Sequence, residues 1–146
     1  MALEWIQENQ PTWDADKIRI IGGAPTGAFD RRYKELKPGT QLSGDWWKAV
    51  DKGKTVGFGW LDIVFGDAEI LLATEAVAQG KGVGTFILEN LSKEAAQRGL
   101  NYVYNVVRPS HPDKERVSAF LKKRGFQASE DGSLLRSAAS KVRAGH

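Results

Sequence analysis

The residues best suited to chemistry lie in Gln79-Gly-Lys-Gly-Val-Gly84, a glycine-rich loop that opens directly into an amphipathic run. The first amides of a helix have no intrahelical partner and carry the positive end of the helix dipole, so such a loop makes a site for an anion. Gly80, Gly82 and Gly84 let a phosphate come close to the backbone with no Cβ in the way, and Lys81 adds a charge beside it. Spacing narrows the anion. A P-loop needs Gly-x-x-x-x-Gly-Lys-Ser/Thr, which the chain lacks, and a dinucleotide fingerprint counted from Gly80 and Gly82 needs a glycine where Thr85 stands. What the loop does match is Gln-x-x-Gly-x-Gly, carried by Gln79, Gly82 and Gly84.

The elements that must position this loop are legible around it. Residues 68–74, Ala-Glu-Ile-Leu-Leu-Ala-Thr, form a short apolar segment that reads as a buried strand. After the loop, Val83, Ile87, Leu91 and Ala95 share one stripe while Glu89, Lys93, Glu94 and Gln97 face out, the pattern of an amphipathic helix. Arg98 and Gly99 end it, with Leu100 set for the usual apolar contact beyond. Residues 101–107 are the next strand, parallel to 68–74 across the helical crossover. Arg108-Pro-Ser-His-Pro112 breaks regularity, Asp113 is placed to cap a helix over 114–123, and Arg124-Gly125 closes it. Asp131-Gly132 then turns one short strand into another at 133–136.

Upstream, residues 3–8 alternate weakly as a first strand. Asp14 suits the N-cap of a short helix through Ile21 with Gly22-Gly23 as its stop; the β-branched content of 18–21 also admits a strand, and the helix is the preferred reading. Residues 24–36, carrying Phe29, Arg31, Arg32 and Tyr33, read as a second short helix. Lys52-Gly53 turns 45–50 into 55–60 as a hairpin. Val56, Phe58 and Trp60 share one face of the second strand and Leu61, Ile63 and Phe65 the other, so it is either covered on both faces or bulged near Trp60. Trp46, Trp47, Phe58, Trp60 and Phe65 make an aromatic group expected mostly in the core, with one tryptophan a candidate wall of a substrate pocket.

The 146 residues suit one domain, taken as 1–136, with a small and basic segment at 137–146 expected to be a disordered tail. The net charge of +3 is mild and its basic residues are spread, apart from Lys122-Lys-Arg124 and the tail, so a nucleic-acid footprint is not forced. Absence of cysteine removes disulfides, thiolate metal sites and a cysteine acyl-enzyme. With His111 and His146 alone, a histidine-rich metal site is disfavoured. No signal-peptide pattern or membrane-length apolar run is seen, so a cytoplasmic location without membrane contact is expected.

Taken with the strand before it and the helix after it, the Gln79, Gly82 and Gly84 loop resembles the coenzyme A pyrophosphate loop of the GNAT superfamily of N-acetyltransferases. The order strand, loop and helix, strand, then helix ending in Gly125-Phe126 is similar to that superfamily's catalytic core over residues 46–136. The resemblance implies a mixed α/β fold of the GNAT-like acyl-CoA N-acyltransferase type, a central mixed but mostly antiparallel sheet flanked by helices. It implies acetyl-CoA as co-substrate and no metal. Gln79, Gly80, Lys81, Gly82, Val83, Gly84 and Thr85 fall at the pyrophosphate cradle. Leu72, Ala73 and Thr74 fall where main-chain groups pair with the pantetheine arm and orient the thioester carbonyl. The region between the first and second strands falls at the acceptor wall.

The chain also departs from the pattern. The tyrosine that in many members protonates the departing thiolate is replaced by Leu121, and the asparagine frequent at the start of that helix by Lys114. A thiol leaves readily and water can serve, so the fold expectation stands while the usual acid is missing. Glu69, in Ala-Glu-Ile at the start of its strand, resembles the base of the histone-type members, its alternative being a strand-end glutamate facing solvent. Glu75, near the strand's C-terminal end, and His111, between two prolines, are weaker candidates. Tyr104 can replace the missing tyrosine if it faces the cleft, and alternation does not say which face that is.

The function expected is an acetyl-CoA-dependent N-acetyltransferase in which a primary amine attacks directly within a ternary complex. A non-catalytic acyl-CoA binding or sensing domain is the first alternative, and a small basic nucleic-acid-associated module the second. The aromatics sit in apolar strand patterns and are not interleaved with Lys or Arg, which argues against the second. The partners implied are acetyl-CoA and an amine-bearing acceptor of unread identity, and a homodimer is allowed.

Overall fold

The computed structural model describes residues 2–139. Its strands are β1 (Leu3–Gln7), β2 (Asp45–Asp51), β3 (Lys54–Val64), β4 (Asp67–Thr74), β5 (Tyr102–Val106), β6 (Gln127–Ala128) and β7 (Leu134–Ala138). They form one seven-stranded sheet in the order β1-β2-β3-β4-β5-β7-β6. Every neighbouring pair is antiparallel except β4 and β5, which are parallel as a strand–helix–strand crossover requires. The helices are α1 (Ala15–Lys17, continuing as a π-helical turn at Ile18–Gly22), α2 (Arg32–Glu35), α3 (Val83–Gln97) and α4 (Lys114–Lys123). The expected mixed, mostly antiparallel α/β architecture is the one observed.

Each face of the sheet has its own core. On one, Val83, Ile87, Leu91 and Ala95 of α3, the stripe read from the sequence, pack with Trp47, Leu61, Ile70, Val103 and Leu121. Gly57 and Gly59 of β3 set how close α3 lies: a Cβ at either would stand 2.7 Å from Ile87 side-chain atoms. On the other face, Trp13, Ile20, Ile21 and Tyr33 from the segment before β2 cover Trp46, Phe58, Trp60 and Ala73. The Trp46 and Trp60 rings stack at 4.3 Å, and Trp60 Nε1 donates to Tyr33 Oη at 3.3 Å. β3 is therefore covered on both faces and runs in register with β4 through Trp60, while the one irregularity of its pairing with β2 falls between Ala49 and Val50.

The α1 start behaves as expected: the Asp14 side chain accepts from Lys17 N at 2.9 Å, and Gly23 is the C-cap of the π-helical turn. Gly99, at φ 74°, ends α3, and Leu100 N donates to Ala95 O at 3.1 Å. Four expectations are corrected. Residues 24–36 are helical only over Arg32–Glu35, because Pro25 and Gly27, the latter at φ 93°, impose turns. Phe65 is no core residue but sits fully exposed in the two-residue turn with Gly66, both at positive φ. Asp113 precedes α4 without a side-chain cap and pairs instead with Arg116 at 3.2 Å. Of the expected tail, residues 137–139 belong to β7 and its end, where Ala139 N bonds Asn101 O at 3.0 Å, and residues 140–146 lie outside the described residues.

Candidate active site

The two parallel strands pair only at Ala68 with Val103 and at Glu69 with Tyr104, then part. Asn105 Nδ2 donates to Ile70 O at 2.8 Å just past the last ladder pair, so a side chain takes over where the backbone ladder ends. That bond also shows which edge of β4 faces the gap. Main-chain groups alternate sides along a strand, so Leu72 and Thr74 turn theirs into the gap, as Ile70 does, and Ala73 turns its own to β3. Of the three expected to meet a pantetheine arm, two are free to do so.

The glycine loop lies beyond the end of β4. Glu75 leads into a short 3₁₀ turn, Ala76–Ala78, and Gly82, at φ 85°, is the residue from which α3 starts. Gly80 has φ 80°, and no heavy atom lies within 4 Å of a Cβ built at Gly80 or Gly82. No side chain caps α3, and its first turn carries no acidic residue. Its leading amides at Val83, Gly84 and Thr85 thus stand without intrahelical partners beside an open, positive-φ loop, an arrangement that fits a phosphate-bearing ligand. Val83 itself is buried and anchors the helix start, and a Cβ at Gly84 would stand 3.6 Å from Phe120 and 3.8 Å from Leu72, ordinary contact distances.

On the tryptophan-lined face, the registers align Asp62, Glu69 and Tyr104 side by side across β3, β4 and β5. Burial pushes the Glu69 carboxyl above its usual value and the Asp62 charge adds to this, while Arg108 and Arg32 pull the other way. Among the described residues Glu69 makes no side-chain hydrogen bond or ion pair, so its carboxylate is available to a substrate. Tyr104 is raised by burial first, then by Glu69, Asp67 and Asp62, so it keeps its proton. Alternation, undecided in the sequence, is resolved by the register: Tyr104 shares the face of Glu69.

The remaining candidates fall elsewhere. His111 Nδ1 accepts from Asp113 N at 2.9 Å, and burial lowers its pKa, so the ring is neutral with its proton on Nε2. Glu75 pairs with Arg19 and, at 3.2 Å, with Lys54, which ties it to the π-helical turn. Leu121 is buried at 2 % exposure within the core under α3. Sequence reasoning missed Asp62, Arg32, Arg108 and Asn105 as members of this site. Only the register and the packing of the 24–36 segment bring them there, and that segment is held by the Arg108–Asp30 ion pair at 3.1 Å. Among the described residues no cluster of three or more His, Cys, Asp or Glu could hold a metal ion, and no helix is long and apolar enough to cross a membrane.

A family model described as an acetyltransferase (GNAT) domain matches residues 43–128. Among solved structures, an N-acetyltransferase from Staphylococcus aureus Mu50 superposes with a TM-score of 0.66 at 15% identity, covering 95% of this chain and 99% of that one. The PaiA N-acetyltransferase from Thermoplasma acidophilum, solved in complex with coenzyme A, gives 0.61 at 15% identity over 94% and 99%. The ribosomal-protein-S18-alanine N-acetyltransferase from Escherichia coli gives 0.53 at 21% identity over 64% and 68%. Comparison with curated proteins finds no match.

Proposed function

The chain belongs to the GNAT acetyltransferase family, its match spanning more than half of the residues, and from that premise we propose that it is an acetyl-CoA-dependent N-acetyltransferase acting on a primary amine. One observation carries this reading: the parted strands β4 and β5 open beside an uncapped helix start with two positive-φ glycines and no Cβ contacts. The donor supplies an acetyl thioester. The loop from Gln79 to Thr85 binds its pyrophosphate through backbone amides, and Leu72 and Thr74 offer main-chain groups to the arm and to the thioester carbonyl. Ala73, turned to β3, serves by packing alone.

An attacking amine is an ammonium at neutral pH and must lose a proton first. Glu69 takes it, since a carboxylate raised by burial is a better base than one in water and has no partner to break away from. With no cysteine for an acyl-enzyme, the amine attacks directly in a ternary complex. Leu121 offers no proton for the leaving thiolate, so water or Tyr104, which shares the face of Glu69, supplies it. His111 stays outside the proton path because its Nδ1 lone pair is engaged locally.

Gly82→Glu tests the reading. A Cβ at Gly82 has no atom within 4 Å and the left-handed φ costs about 1 kcal/mol, so the variant is expected to stay folded. Acetyl-CoA binding, followed by calorimetry, is expected to be lost, and retained binding would refute the cradle. The buried Leu121 favours one second reading, a domain that binds acyl-CoA without turnover. Release of free thiol from acetyl-CoA across a panel of amines separates the two.

A further inference from the structure

Arg124, the C-cap of α4, is 8 % exposed, and among the described residues no carboxylate pairs with it. Its guanidinium lies over the Phe120 ring at 3.8 Å, Nη1 donates to Phe120 O at 2.9 Å, and Nη2 donates to Thr85 Oγ1. Its Nε is buried and has no hydrogen-bond partner. A buried guanidinium with no carboxylate in direct contact is costly, and an unmet donor adds to that cost. Thr85 belongs to the first turn of α3, and the Phe120 ring stands 3.6 Å from where a Cβ at Gly84 of that turn would lie. Glu89 acts on the guanidinium only at longer range, so among the described residues a charge without a direct carboxylate partner is held behind the open helix start.

We propose that Arg124 is the buried counter-charge for the pyrophosphate bound at the start of α3, acting as a positioning residue through Thr85. This rests on the coenzyme A reading above. Because Thr85 Oγ1 accepts from Arg124, its hydroxyl proton is free to be donated toward the anion. The guanidinium adds a fixed positive charge to the dipole end of α3 in a partly dry setting, where screening by salt is weak. Its stack on Phe120 keeps it from swinging out to solvent when no anion is bound.

The test measures dissociation constants of CoA, 3′-dephospho-CoA and pantetheine for the wild-type chain, Arg124→Met and Arg124→Lys. Met fills a similar volume without charge, and it removes the cost of burying both a charge without a direct partner and an unmet donor. The expected result is about tenfold weaker binding of both CoA and 3′-dephospho-CoA to Arg124→Met, with pantetheine within about twofold, and largely restored affinity in Arg124→Lys. The unliganded Met variant is expected to melt no lower than wild type, which a merely structural arginine would not allow. Equal loss for all three ligands, loss for CoA alone, which would move the charge to the 3′-phosphate, or a Lys variant as weak as Met overturns the proposal. Should Arg124→Met not fold, Thr85→Val serves: it is expected to weaken CoA against pantetheine, and an unchanged ratio overturns the proposal. If wild type binds none of the three, the coenzyme A reading itself fails, an outcome distinct from a variant that binds as wild type does.

Discussion

At the scale of single residues, Glu69 is where sequence and structure supply different halves of one argument. Its place in Ala-Glu-Ile marked it by resemblance, but its neighbour Asp62 was invisible until the Phe65-Gly66 turn fixed the register that sets the two opposite each other. If Glu69 is the base, as proposed, it must be ionised to act, so the acid limb of kcat is expected above where a free glutamate would place it, with activity rising as pH climbs through the raised pKa. Glu69→Gln removes that limb and lowers kcat, which a pH profile reads directly. The stability sign is opposite. With the folded pKa above the unfolded one, the native state binds more protons across that window, so stability is fullest below the unfolded value and declines as pH rises. Glu69→Gln is therefore expected to melt higher than wild type at neutral pH, and a lower melting temperature would mean that the carboxylate is stabilised by contacts in the folded state. Lys17 gave no sign of its role in the sequence. It is fully buried, its ammonium donating to Glu8 at 2.8 Å, to Asp14 at 2.9 Å and to Thr12 O at 2.9 Å. Lys17→Ala strands the Glu8 carboxylate and is expected to cost about 3–5 kcal/mol in urea unfolding.

At the scale of elements, the features encoded within a single segment are legible in the sequence. The α3 stripe, its glycine stop and the loop before it follow from a period and from turn chemistry within one segment, and α4 falls on the range predicted. What escaped depends on partners far away in the chain. Gly57 and Gly59 look like weak points in a strand until α3 is laid against them, when they become the two places where Ile87 can sit on the sheet. Gly59→Ala sets a Cβ 2.7 Å from Ile87 Cγ2 and 3.0 Å from Leu91 Cδ1, and is expected to destabilise by about 1–3 kcal/mol as α3 lifts. Because the amides of α3 point at the proposed pyrophosphate site, the same change is expected to weaken CoA binding although it touches no ligand. Thermal unfolding and titration on one preparation check both; stability lost without any loss of affinity would separate α3 placement from the site.

At the scale of the molecule, the sheet divides labour between its faces. The α3 face is a mainly aliphatic core that also holds Trp47 and Phe126, and the other is a covering of aromatic and mixed residues drawn from the segment before β2. That covering is fastened in two ways of unequal strength. Trp13 and Tyr33 are buried in the second core, their rings stacked at 5.8 Å, whereas Gly27 to Asp30 reach the loop after β5 through the Arg108–Asp30 ion pair and the close approach of Gly27 to Ser110 O. Both partners of the ion pair are more than two-fifths exposed, so its contribution is about 0.2–1 kcal/mol and falls with salt. Asp30→Ala is accordingly expected to lower the melting temperature by no more than about 4 °C, since about 1 kcal/mol shifts a domain of this size by that much at most. It also takes away the acid that offsets Arg108, whose charge works against the raised pKa of Glu69, so the acid limb of the rate profile is expected to move toward lower pH. The local consequence is larger than the global one. Amide exchange is expected to quicken across residues 27–31 and 108–112, while the amides of α3 and β4 keep their protection. If exchange instead rises evenly over the sheet, the segment beside Glu69 is a structural part of the core and not a separately movable wall of the proposed acceptor site.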